Sequence, residues 1–375
     1  MKDALLLLRY SLFGGEEPAI SDWSGAARDL HRHALLPLIS AGPCPAEKRG
    51  ILENIRFQNQ AAFLRHCFAA KELNRVLAPG KAVILKGLSA ALYYKDPSLR
   101  TMGDIDFLVL GIPVEEADQR LREAGYSSSN AVCGDLKARH IAYEKSGVHY
   151  ELHRYFSGGR GRKGKRLDAR ILGAEPVERK LGGAEFYSLP DPENALVILA
   201  HIAQHLRSEL GLRQLADWAC LVDRLLTDEF WEANFSRMTR EAGLKALAIT
   251  ATRMVEKYFG GPHRVFAESA NEKTVDLLFE ELDGAGNFGR SRETMANKIA
   301  EFQTERNPFR RLQKCGLHAW PYAQKHAWAR PFAWIYQVFR IFGMLIRNQG
   351  GKERKAQVKE MVKRRRILFR ALKIR

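Results

Sequence analysis

Apolar positions recur along this chain with two different periods, and each change of period marks a change of organisation. Over residues 1–78 they return at helical spacing, with turns at Gly14-Gly15 and around Gly42-Pro43-Cys44-Pro45, and Glu47 to Leu77 is the longest helical pattern. Pro79-Gly80 breaks it. Between 81 and 190 short runs predict strands interleaved with helices. These are Ala82 to Leu85, the run ending at Leu110, a helix over Pro113 to Glu123, then strands over Arg139 to Lys145 and Val148 to Phe156 joined by Ser146-Gly147, a two-residue hairpin signal. Helical spacing returns over 191–305, opened by Asp191-Pro192-Glu193, with Asp191 as N-cap and Pro192 at the first helical position. The predicted fold is α+β: a small mixed sheet flanked by N- and C-terminal helical regions, divided as 1–78, 79–190, 191–305 and 306–375.

The sheet region carries the candidate chemistry. Successive side chains of a strand alternate between faces, so Asp104 and Asp106 share one face while Ile105, Phe107 and Val109 share the other. Two such carboxylates can lean onto one or two divalent cations; a half-exposed edge strand with two solvated aspartates is the plainer alternative. Upstream, Lys86-Gly87-Leu88-Ser89 joins an apolar run to a helix-compatible one, and a strand–turn–helix start offers backbone N–H groups to an anion. Gly87 allows close approach, Ser89 either caps the helix or donates to a phosphate, and Lys86 and Arg100 are cations able to bracket a polyphosphate. In the second hairpin strand Val148, Tyr150, Leu152 and Phe156 are expected on one face and His149, Glu151, His153 and Tyr155 on the other. If this strand neighbours the acidic pair, Glu151 completes a three-carboxylate cage, with Glu144 as its competitor and a solvated hairpin face as the alternative.

The pattern apolar-Lys86-Gly87-x-Ser89, then Arg100-x-x-Gly103-Asp104-Ile105-Asp106-x-Leu108-Val109, then Glu151-Leu152-His153 resembles the bacterial uncharacterised nucleotidyltransferase family of the polymerase β-type superfamily. Here the serine stands one place later than in the superfamily turn, and the third acid is Glu where Asp is commoner. The resemblance implies catalysis by Asp104, Asp106 and Glu151, which would also hold two Mg²⁺ ions, with Mn²⁺ as the alternative metal. It implies nucleotide binding by Lys86, Gly87, Ser89, Arg100 and Gly103, with an NTP as donor and a sugar, peptide, protein or RNA as acceptor. The competing reading is a catalytically idle nucleotide-binding or scaffold protein. Farther on, His201 and His205 share a helical face; without an evident third ligand they read as a core or cleft-lining pair, not a zinc site.

Composition bounds the setting. Five scattered cysteines (Cys44, Cys67, Cys133, Cys220, Cys315) with no CxxC pair point to reduced thiols and a cytoplasmic location. The Ala4 to Leu8 run is short for a signal segment, and no apolar stretch reaches the roughly 18 residues that span a bilayer. Net charge is +17, and residues 306–375 carry all of it, with 19 Lys+Arg against 2 acids. There Arg310, Arg311, Lys314, Lys325 and Arg330 interleave with Trp320, Tyr322, Trp328, Trp334 and Tyr336; Phe332 to Ile346 is an apolar helix candidate and Lys352 to Arg375 a charged one. Contact with a membrane surface, from the inner face, or with nucleic acid is expected of this segment. Gly158 to Arg166 reads as a flexible basic loop beside the site.

Overall fold

The computed structural model describes residues 2–39, 42–128, 140–157, 161–206, 210–283, 320, 322–347 and 352–374. Helices α1 (Lys2–Phe13), α2 (Trp23–Arg32), α3 (Leu36–Ile39) and α4 (Arg49–Leu77) lead into β1 (Lys81–Ile84). A single turn, α5 (Leu88–Ala91), separates it from β2 (Ile105–Leu110); then come α6 (Val114–Glu123), β3 (Ser127–Ser128), β4 (His140–Lys145), β5 (Val148–His153) and α7 (Gly161–Leu172). β6 (Val177–Leu181), β7 (Ala184–Ser188), α8 (Asp191–Leu206) and α9 (Leu212–Arg224) follow, and further helices complete an α+β fold.

The seven strands lie in the order β3-β4-β5-β2-β1-β7-β6. β2 is antiparallel to β1 and parallel to β5, in a register that sets Asp106 opposite Glu151 and Leu108 opposite His153. Both hairpin turns use left-handed backbone at two consecutive residues: φ is +52° at Ser146 and +71° at Gly147, and +55° at Gly182 and +78° at Gly183. That geometry matches the twist of antiparallel strands. The β6–β7 hairpin is an addition to the expected strands, although its Gly-Gly pair carries the same signal.

Each face of the sheet has its own core. Ala82, Ile84, Ile105, Phe107, Val109, Tyr150 and Leu152 pack under α4 and α6, where Phe63, Cys67, Leu73 and Leu121 meet them. Val83, Leu85 and Leu108 face the larger core, built with α1, α2, α8 and α9. The odd–even alternation of β2 thus holds, as the sequence predicts. It fails at the end of β5. That strand stops at His153, so Phe156 joins Val83, Leu85 and Leu108 and does not share a face with Val148 and Leu152.

One further expectation changes. The basic loop is largely helical: α7 begins at Gly161, buries Leu167 and Ile171, and is pinned by Asp168, which accepts from Ser157 N at 2.7 Å and from Ser157 Oγ at 2.5 Å. Residues 158–160 lie outside the described set, as do Arg139, Arg310, Arg311 and Lys314. The charged C-terminal segment is a docked helix, Lys352–Ala371, whose Leu368 joins the large core along with Leu372 and Ile374 just beyond it. Arg365 Nε meets Glu281 of the helix Glu272–Asp283 at 2.7 Å, both side chains nearly inaccessible. No described helix is long and apolar enough to cross a membrane.

One buried imidazole couples this fold to pH. His33 ends α2, and its Nδ1 accepts from the Leu212 amide at the start of α9 (3.3 Å), so it must be neutral there. Burial, then Arg32, lowers its pKa from 6.5 to about 4. The unfolded chain therefore binds more protons than the folded one between these values, and stability is complete above pH 6.5 and falls as pH drops through 4. Urea midpoints of His33→Gln, which keeps an acceptor, are expected to vary less between pH 6.5 and 4 than those of the parent; equal slopes would remove His33 from this role.

Candidate active site

The acidic face of β2 and β5 forms the centre. In a sheet, paired residues on adjacent strands project from the same face about 5 Å apart, and the register therefore brings Asp106 and Glu151 together. His153, two residues on in β5, shares that face. Its Nε2 lies 2.8 Å from Asp106 Oδ1 and 3.3 Å from Glu151 Oε2, so this nitrogen carries the proton and donates. Lys86 Nζ reaches the same Asp106 oxygen at 2.7 Å. His140, from β4, stands 3.7 Å from Glu151 Oε1.

Burial sets the electrostatics. On its own it would raise the Asp106 pKa, but Lys86 and His153 outweigh it and hold the carboxyl far below the usual range. Glu151 is held low first by the His153 hydrogen bond, against burial and the Asp106 charge. His153 is pushed up despite burial, because two carboxylates accept from it. Asp104 goes the other way: partial burial, then Glu151 and Asp106, raise it. It precedes the strand and is exposed. Its carboxylate feels both other acids, while the tight group of potential ligand atoms, all within 4.8 Å of one another, is Asp106, Glu151 and His153.

The elbow between β1 and α5 is built for closeness. Gly87 has φ +62°, left-handed backbone suited to glycine, and the Leu85 amide donates to Asp106 O at 2.9 Å, fixing the turn against the acidic strand. The other residues expected to bind nucleotide are placed differently. Ser89 is fully buried and donates to Ile84 O at 2.5 Å, closing the turn from within. Arg100 is buried and makes a two-pronged ion pair with Asp217 of α9, Nε–Oδ1 2.7 Å and Nη2–Oδ2 2.8 Å, where Tyr94 also donates at 2.8 Å. Gly103 is exposed, and its carbonyl accepts from His66 at 2.6 Å. Arg213, at the start of α9, reaches to 3.9 Å from where a Cβ on Gly103 would stand. Glu144, the rival third acid, pairs with His149 on the hairpin and is not among the clustered ligands.

The helix α8 packs on the same face of the sheet as the acids. His201 and His205 approach each other at 2.9 Å between their Nε2 atoms, one ring donating to the other. Burial and the Lys86 charge hold His201 well below the ordinary imidazole range, which seats this ring, neutral, beside the Lys86–Asp106 ion pair. The sequence placed His153 on the polar face of its strand and in the Glu151-Leu152-His153 motif, without a role of its own; its proximity to both acids depends on the β2–β5 register.

The donor chemistry suits a divalent cation. Two carboxylates held ionised, with a third acid raised by their charge, form a site whose repulsion a cation would relieve. His153 Nδ1 is also buried, with no hydrogen-bond partner among the described residues. Oxygen-rich sets favour Mg²⁺ and the imidazole admits Mn²⁺.

No curated protein matches this sequence, and no solved structure does either. Residues 20–260, spanning the whole sheet with α8 and α9, match a family described as uncharacterised nucleotidyltransferase, and the chain belongs to that family.

Proposed function

We propose that the protein is a metal-dependent nucleotidyltransferase, moving an NMP from an NTP to an acceptor hydroxyl or phosphate with release of pyrophosphate. The observation that carries this reading is the grouping of Asp106, Glu151 and His153 beside the Gly87 elbow in a chain of that family. In the reaction an acceptor oxygen bonds to the α-phosphorus as the bridge to the β-phosphate breaks, and the bridging oxygen leaves with pyrophosphate. Asp104, Asp106 and Glu151 would hold the divalent ions, Mg²⁺ or Mn²⁺. When bound, these supply positive charge for the triphosphate and acidify the acceptor. Glu151, held ionised, is the group available to take the acceptor proton. His153 keeps both carboxylates oriented through the hydrogen it donates. Lys86, beside Asp106, would be a cation for the phosphates, and Arg213 would add charge beside Gly103.

Acceptors can be a sugar, a peptide, a protein or RNA, and contact of the basic segment with a membrane surface or nucleic acid would bring the protein to such a molecule. The test is pyrophosphate release by the full chain from each NTP with candidate acceptors, alongside Mn²⁺ binding by electron paramagnetic resonance. Release that EDTA abolishes, with Mn²⁺ bound and displaced by Mg²⁺, is expected. NTP binding with no metal bound and no release for any acceptor would favour the idle scaffold.

A further inference from the structure

Over residues 330–339 the helix Arg330–Arg347 is packed inside out. Ala329, Ala333 and Gln337, four residues apart, are buried, at 0, 0 and 5% exposure. On the opposite side Trp328, Phe332, Ile335 and Phe339 recur at one helical face and are 66, 55, 54 and 71% exposed, with Tyr336 beside them at 52%. An ordinary surface helix does the reverse, turning its large apolar side chains inward. Scattered exposed apolar residues need no explanation, but a contiguous stripe marks a contact surface.

The charge of the same stretch says what the contact is. Residues 306–352 contain no acid, and 306–375 hold 19 bases against 2 acids while the rest of the chain is neutral. On the helix Lys352–Ala371, Arg364 and Arg365 are used against Glu280 and Glu281, and Lys363 remains 70% exposed. A second copy of this chain is a poor occupant, since a symmetric contact would bring two such basic segments together. Nucleic acid would stack on the aromatic rings but gains nothing from Ile335 and Val338, the latter 48% exposed. Hydrocarbon accepts both kinds of side chain.

We propose that this face docks on an anionic lipid bilayer, with the helix lying in the headgroup plane. Phe332, Ile335 and Phe339 enter the acyl boundary, Trp328 and Tyr336 sit at the headgroup level, and the bases meet lipid phosphates. The inference is independent of the nucleotidyl reaction and needs no NTP to be tested.

The full chain is sedimented with vesicles of phosphatidylglycerol and phosphatidylcholine, and with phosphatidylcholine alone. Binding to the anionic vesicles, weakened by salt and much lower on neutral ones, is expected. Phe332→Ser combined with Phe339→Ser should cut it about tenfold or more, with circular dichroism unchanged. Undiminished vesicle binding by the double variant would overturn the proposal. So would failure of the parent to bind vesicles, whether it proves a dimer that the variant dissociates, binds single-stranded RNA through the same residues, or does neither.

Discussion

Asp106→Asn is expected to lower Mg²⁺-dependent pyrophosphate release by roughly a thousandfold or more, because positioned charge is most of what such catalysis consists of. The amide keeps an oxygen for Lys86 and His153 but loses the charge they both neutralise. Some stability is lost too, since Lys86 is only 16% exposed and is left facing a neutral group. Asp104→Asn separates the two effects. The Asp104 pKa is raised by partial burial of its carboxyl and by Glu151 and Asp106, so folding disfavours its ionised form relative to the unfolded chain. Its melting temperature should stay where it is or rise slightly while turnover falls, the usual opposition between an active site and its own stability. Calorimetry and a pyrophosphate assay on the same samples decide it. Unchanged turnover in Asp104→Asn/Asp106→Asn would end the catalytic reading.

The second large effect is on folding. Asp217→Ala leaves Arg100 and Tyr94, both buried, without the carboxylate they share. Removing one partner of a buried pair typically costs about 3–5 kcal/mol, since the remaining charge stays desolvated. The pair also ties α9 to the segment entering the acidic strand, where Asn59 of α4 donates to Ser98 O at 2.6 Å. Asp217→Ala should therefore shift the urea midpoint strongly and weaken activity through misplaced Asp104. Replacing Arg100 and Asp217 together by Met and Leu should cost less than the single change. If the double replacement is the worse of the two, the network is not what holds this segment.

Local signals made much of the frame legible. The Pro79-Gly80 break precedes β1, the Pro113 to Glu123 pattern becomes α6, and Ser146-Gly147 turns the hairpin, because each depends on neighbours within a few residues. The shared face of Asp106 with Leu108, and of Glu151 with His153, follows from alternation alone. The roles of single polar side chains were not local. Ser89 reads equally as a cap or a phosphate donor in sequence, and its hydroxyl closes on Ile84 because α5 is one turn deep in the core. Arg100 reads as a free cation until α9 presents Asp217, 117 residues away.

Periodicity and turn chemistry in the chain determined an α+β protein with an acidic strand beside a glycine elbow, and its charge count placed every excess base after residue 305. Tertiary structure alone decided that β2 and β5 pair in parallel with Asp106 opposite Glu151, that His153 bridges them, and that the basic C-terminal helix docks on the large core. The reason is physical: alternation tells a side chain which face it takes, but which neighbour it meets there depends on burial and pairing between segments that no local pattern encodes.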